Sequence, residues 1–218
     1  MSNTVDIGEI VARAFQLLRD DARKSIPAII LMSLVGIAFD YAGSGVLLAN
    51  FAVSLYFQTA ITRSTMTRLG LAEQHIDSNP YGLVFAVGLL SGLGILFGLI
   101  FLVIPGLMLA VRWFVAVPAI FGNASGASNA LDESWKLVKP NFWPMLGVML
   151  IYVFIALGPT ILVEILIANG GFWESNSKLI HVAMNVESGA GLVIGWYLAV
   201  SAYEALASHR ETLAEIFA

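Results

Sequence analysis

The run from Leu83 to Phe121 contains one charged side chain, Arg112, in what is otherwise nearly all hydrocarbon. It is about twice the roughly 20 residues that a helix needs to cross a bilayer. It therefore reads as two helices joined by a turn, and Pro105-Gly106 is where a tight turn is expected. A lone cation in hydrocarbon is costly unless it has a partner or a wet cavity. The run points to a membrane, and its arginine to a structured helix bundle rather than a simple anchor.

Composition extends this reading to the whole chain. Of 218 residues, 58% are hydrophobic and 12% charged, with a mean hydropathy of +0.83. A soluble domain carries about twice that charged fraction. One integral membrane domain is expected, without a separate soluble catalytic unit. The net charge of −4 disfavours nucleic acid as a partner, since that favours a basic patch. With no cysteine, disulfides and thiolate chemistry are excluded. Met1–Asp6 lacks the basic start and cleavage site of a signal peptide, so the first span is expected to be retained.

Residues 6–24 place Ile7, Ile10, Val11, Ala14, Leu17 and Leu18 on one helical face, with Glu9, Arg13, Gln16 and Asp20 opposite. This is an interfacial amphipathic helix, with Asn3 or Thr4 as cap and Asp6 in its first turn. Six spans follow: two within 26–67, a hairpin of two within 83–121, and two within 142–207, the last over 189–207, with an outer loop from Asn169 to Ser188 that contains Glu187 and a short acidic tail from His209. Residues 127–139 form a second interfacial helix, in which Asp132 and Lys136 can pair at i, i+4 and which Pro140 ends. An interfacial helix before two spans thus occurs twice, a weak internal repeat with Pro27 and Pro144 in comparable places.

The positive-inside rule tests this layout. Arg13, Arg19, Arg23, Lys24, Arg63, Arg68, Lys136, Lys139 and Arg210 all fall on one side and only Lys178 on the other. Both termini are expected in the cytoplasm.

Arg112 is the strongest functional candidate. Six spans put it in the outer third of the membrane, where Asp40 and Glu164 can neutralise it. It is either a structural ion pair or an anion site, and the structural role is favoured because ion pairs within membranes often serve packing. Gly88, Gly92, Gly94 and Gly98 form small-xxx-small patterns and read as helix packing, as do Gly191 and Gly195. Glu204 reads as an interfacial carboxylate reaching water. Glu73, His75 and Asp77 read as a solvated loop rather than a metal site. Ser175–Lys178 and the sequon at Asn123 read as chance matches. No cofactor is expected.

Ile104–Trp113, then Ala116-Val-Pro118, Ala130–Leu137 and Phe142-Trp143 resemble the membrane domain attached to some bacterial glycerophosphoryl diester phosphodiesterases. Hydrolysis in those proteins belongs to a separate soluble barrel with carboxylate-and-histidine metal chemistry, and no such cluster is expected here. The resemblance implies a bacterial inner-membrane location and leaves mechanism open.

The expected protein is all-α: a polytopic bundle of six transmembrane helices and two interfacial helices. Its expected partners are membrane lipids, with a membrane-protein partner or a second copy as further options. A non-enzymatic module that organises lipid or a partner is the leading reading. A small transporter or channel, with Arg112 lining an aqueous cavity, is the second.

Overall fold

The computed structural model describes residues 5–42, 46–72, 79–122, 124–169 and 177–217. Every regular element among them is helical: α1 (Ile7–Asp20), α2 (Ala22–Ala42), α3 (Leu47–Arg68), α4 (Pro80–Phe101), α5 (Val103–Arg112), α6 (Ala116–Phe121), α7 (Ala127–Val138), α8 (Phe142–Asn169) and α9 (Ser177–Phe217). Among the described residues, five segments are long and apolar enough to cross a membrane: Ala22–Asp40, Pro80–Phe101, Val103–Phe121, Ala127–Ile165 and Leu179–Arg210. Helix α3, expected as the second span, is not among them. Gln58, Thr59, Thr62, Arg63, Ser64 and Thr65 interrupt its apolar surface, and Thr59, Thr62 and Thr65 are buried in the bundle.

Prolines explain where the long apolar run breaks. A proline ring clashes with the carbonyl four residues earlier, so it kinks or breaks a helix interior, whereas the first turn of a new helix tolerates it; α2 and α8 run on through Pro27 and Pro159, but α4 does not run on through Pro105. Pro105 therefore ends α4 at Phe101. The break falls at Leu102, whose backbone is extended (φ −157°, ψ 124°). This corrects the expected turn: Pro105 and Gly106 lie within the first turn of α5. Pro118 acts likewise on Phe114, and the Trp113–Val115 turn separates α5 from α6.

Gly106 has a packing role instead. A Cβ there would collide with Leu99, and one at Gly98 with the Gly106 backbone, so the two limbs of the hairpin touch main chain to main chain. Gly94 faces the Trp113 ring. Gly88 and Gly92 differ, with nothing within 4 Å of an added Cβ. They line an open cavity of about 300 Å³ between α3 and α4, beside Phe51, Ser54 and Gln58. Gly94 and Gly98 thus face close neighbours, and Gly88 and Gly92 face open space.

Helix α9 is the spine. Its Val193–Ala207 stretch supplies much of the core, including Tyr197, Val200, Tyr203 and Leu206. Gly189 lies against Ile29 and Ser33 of α2, Gly191 against Ala156, and Gly195 against the Tyr152 ring of α8. At both ends α9 is longer than residues 189–207, the part expected to span. Ser177–Ser188, expected in an outer loop, is helical because no Gly or Pro interrupts it, and the expected C-terminal tail is helical to Phe217.

The amphipathic helix α1 buries Ile10, Ala14 and Leu17, as its periodicity predicts. Its cap is Asp6 rather than Asn3 or Thr4: the Asp6 carboxylate accepts from the Gly8 and Glu9 amides. Helix α1 lies along the C-terminal half of α9. The Arg13 guanidinium donates twice to the Glu204 carboxylate, each at 3.0 Å, and the Ser201 hydroxyl donates to the Ile10 carbonyl at 2.8 Å. Helix α7 joins the same end through Arg210–Glu133 at 2.6 Å, and Lys136 pairs with Asp132 at 2.5 Å. We call this the platform end. At the far end, the Asn185 amide donates to Asp40 at 2.7 Å.

Candidate functional site

Arg112 is the last residue of α5, where a cation complements the negative end of the helix dipole. The turn that follows aims its side chain at α7 and at the start of α8. The guanidinium carbon sits 4.3 Å from the centre of the Trp135 ring and 5.5 Å from that of Phe142. The Ser134 hydroxyl donates to the Arg112 carbonyl at 2.8 Å, fixing the same junction from the backbone side. Nε and Nη1 are buried without a hydrogen-bond partner. The cation is stabilised by two aromatic faces and a helix end rather than by a carboxylate; such stacking contributes about 2 kcal/mol when desolvated.

This placement separates the three residues expected to form an ion pair. Arg112 is at the platform end, beside the first residue of α8. Glu164 lies on the same helix about 22 residues further on, or about 33 Å at the rise of an α-helix, and is exposed. Asp40 is at the far end, where it accepts from Asn185 and lies 3.8 Å from His181 Nδ1. The expected grouping does not form because α5 is short: the Trp113–Val115 turn comes only ten residues after the hairpin tip.

Other expected sites move too. Glu204 is paired with Arg13 rather than left to water. That bond and the negative charges of Glu204 and Asp20 raise the Arg13 pKa. Glu187, expected in a loop, lies on α9, where one of its oxygens accepts from the Thr160 hydroxyl at 2.5 Å and the other is buried without a partner. Glu73, His75, Asp77, Asn123 and Ser175 lie outside the described residues. Among the described residues, no group of three acidic or histidine side chains could hold a metal ion.

Trp135 and Phe142 stood out in the sequence only as part of the family resemblance; nothing in their spacing relative to Arg112 announced the clasp. One uncharged feature was partly visible. Asn50, Ser54, Gln58 and Thr62 recur at i+4 along α3. They adjoin three cavities of about 420, 300 and 150 Å³ in turn, consecutive ones sharing Ser54 and then Gln58.

Residues 85–198, just over half of the chain, match the family described as the membrane domain of glycerophosphoryl diester phosphodiesterase. The matched region runs from α4 into α9 and contains the whole Arg112–Trp135–Phe142 clasp. It is a membrane domain and not the catalytic domain of those enzymes. No curated protein and no solved structure matches the chain.

Proposed function

This chain belongs to the glycerophosphoryl diester phosphodiesterase membrane-domain family, and from that premise we propose a non-enzymatic membrane module that organises lipid or a partner protein. It sits in a bacterial inner membrane with both termini in the cytoplasm and crosses six times, α3 included. The packing of α3 against α2, α4 and α9, with its apolar Leu48, Phe51 and Tyr56 exposed, and the shared end of α1 and the C-terminal half of α9 support that count. The platform end faces the cytoplasm, in keeping with its cations.

The observation that carries the module reading is the packing of the half-buried Arg112 against aromatic rings. A transporter that used this cation would expose it to water, at least from one side at a time. Here two of its nitrogens are buried against aromatic rings. With no native cysteine, single cysteines at Leu109, Ala116, Val163 and Leu55 can be probed with impermeant thiol reagents. Protection from both sides is expected. Labelling from both sides at positions near Arg112 contradicts the module. The same reagents at Ser44 and Ser175 outside and Ser78 inside test the topology.

A second reading, a small transporter or channel, draws on a different observation. The uncharged row of α3 and its three cavities offer hydrogen-bonding groups within the bundle. In that reading the path follows Asn50, Ser54, Gln58 and Thr62, and Arg112 takes no part. Labelling of Leu55 from both sides, with Leu109 protected, would favour it.

A further inference from the structure

The platform end neutralises several of its cations internally. Arg13 has Glu204, Lys136 has Asp132 and Arg210 has Glu133. The platform ends of α2 and α3 are built otherwise. Lys24, Arg63 and Arg68 converge with Ala60, Ser64 and Thr67 on one groove of about 500 Å³, and no carboxylate lines it. Neither Arg63 nor Arg68 has a carboxylate partner among the described residues. Lys24 reaches Asp21 only at 3.7 Å, and Asp21 also accepts the Tyr197 hydroxyl at 3.1 Å. The Ser64 and Thr67 hydroxyls donate to the Ile61 and Arg63 carbonyls, so recognition falls to the three cations.

The positive-inside rule accounts for the side on which these residues lie. It does not account for Arg63 and Arg68 meeting Lys24 at one concavity with no carboxylate in its lining. We propose that this groove binds a phosphate-bearing anion at the membrane surface, either the headgroup of an anionic lipid or free phosphate. Two arginine forks suit phosphate oxygens, and basic pockets at the cytoplasmic ends of membrane helices suit anionic headgroups. The inference rests on the lipid-organising reading and gives it a place and a charge.

The test uses the full chain extracted from vesicles of phosphatidylcholine mixed with phosphatidylglycerol, with retained lipid measured by native mass spectrometry. A parallel arm follows thermal unfolding against added inorganic phosphate. The wild type is expected to retain phosphatidylglycerol over phosphatidylcholine by about tenfold. The double variant R63Q/R68Q should bring that ratio close to one. Both side chains are exposed, so the variant should unfold at the wild-type temperature; R63K/R68K, which keeps the charge, should restore most of the preference. If phosphate stabilises the wild type and not R63Q/R68Q, while neither prefers a lipid, the groove is assigned to soluble phosphate. An equal preference in wild type and R63Q/R68Q, or lipid retained with no preference and no response to phosphate, overturns the groove and leaves the lipid-organising reading standing. Absence of any retained lipid counts against that reading itself.

Discussion

The two ends of the bundle are held by different chemistry. At the platform end, α1, α7 and α9 are tied by ion pairs, and Arg112 is clasped by Trp135 and Phe142. The core is concentrated there, along Val193–Ala207. At the far end, among the described residues, single hydrogen bonds join Asp40 to Asn185 and Thr160 to Glu187, and His181 Nδ1 lies 3.8 Å from Asp40. The α4–α5 tip presents Ile100–Ile104 to its surroundings, each more than three-fifths exposed. The contrast teaches that one end is fixed by protein contacts and the other depends on the bilayer to cover it.

The largest effect should come from crowding Gly122 at the platform end, with the open position Gly88 as its control. A side chain at Gly122 would run into the Tyr203 hydroxyl, whereas one at Gly88 meets open space. Gly122→Leu should cost about 3 kcal/mol, or about 6–12 °C in Tm in detergent. Gly88→Leu should stay within about 0.5 kcal/mol. Equal losses at the two positions would erase the distinction.

Next is the clasp. Arg112→Ala should cost about 2 kcal/mol and Arg112→Lys about half that, since an ammonium keeps the charge and loses the planar stack. Unchanged thermal unfolding of Arg112→Ala, with loss of a bound ligand, would make Arg112 a binding residue.

The Arg13–Glu204 pair is partly exposed, so solvent screens it. Glu204→Ala should cost about 0.5–1 kcal/mol, a loss that shrinks in high salt. At the far end Asn185→Ala should cost about 0.5 kcal/mol, because its partner Asp40 can turn to water. A larger loss there than at Glu204, in the same unfolding assay, would reverse the comparison.

Local features were legible in the sequence. The buried face of α1 follows from the spacing of Ile10, Ala14 and Leu17, and Asp132–Lys136 from its i, i+4 register. The match to a membrane-domain family bears out the resemblance carried by Ile104–Trp113 and Phe142-Trp143. Prolines were legible but were read a turn late, since Pro105 acts on Phe101 rather than on its own position. The site was not legible. Pairing Arg112 with Glu164 assumed that α5 continued straight through the bilayer, and Pro118 prevents that. Trp135 joins Arg112 through the packing of α7 beneath α5, a long-range contact that no local periodicity encodes. The cap was expected at Asn3 or Thr4, and Asp6 is two residues beyond the nearer of them, within the ordinary uncertainty of helix ends.

The clasp can be measured by a double-mutant cycle on Arg112→Ala and Trp135→Leu, using thermal unfolding of the full chain in detergent. If Arg112 serves to lock α5 onto α7, the two losses overlap and the coupling is about 1–2 kcal/mol. Losses that add to within about 0.3 kcal/mol would mean that the two residues act independently, and the structural role assigned to Arg112 would be wrong.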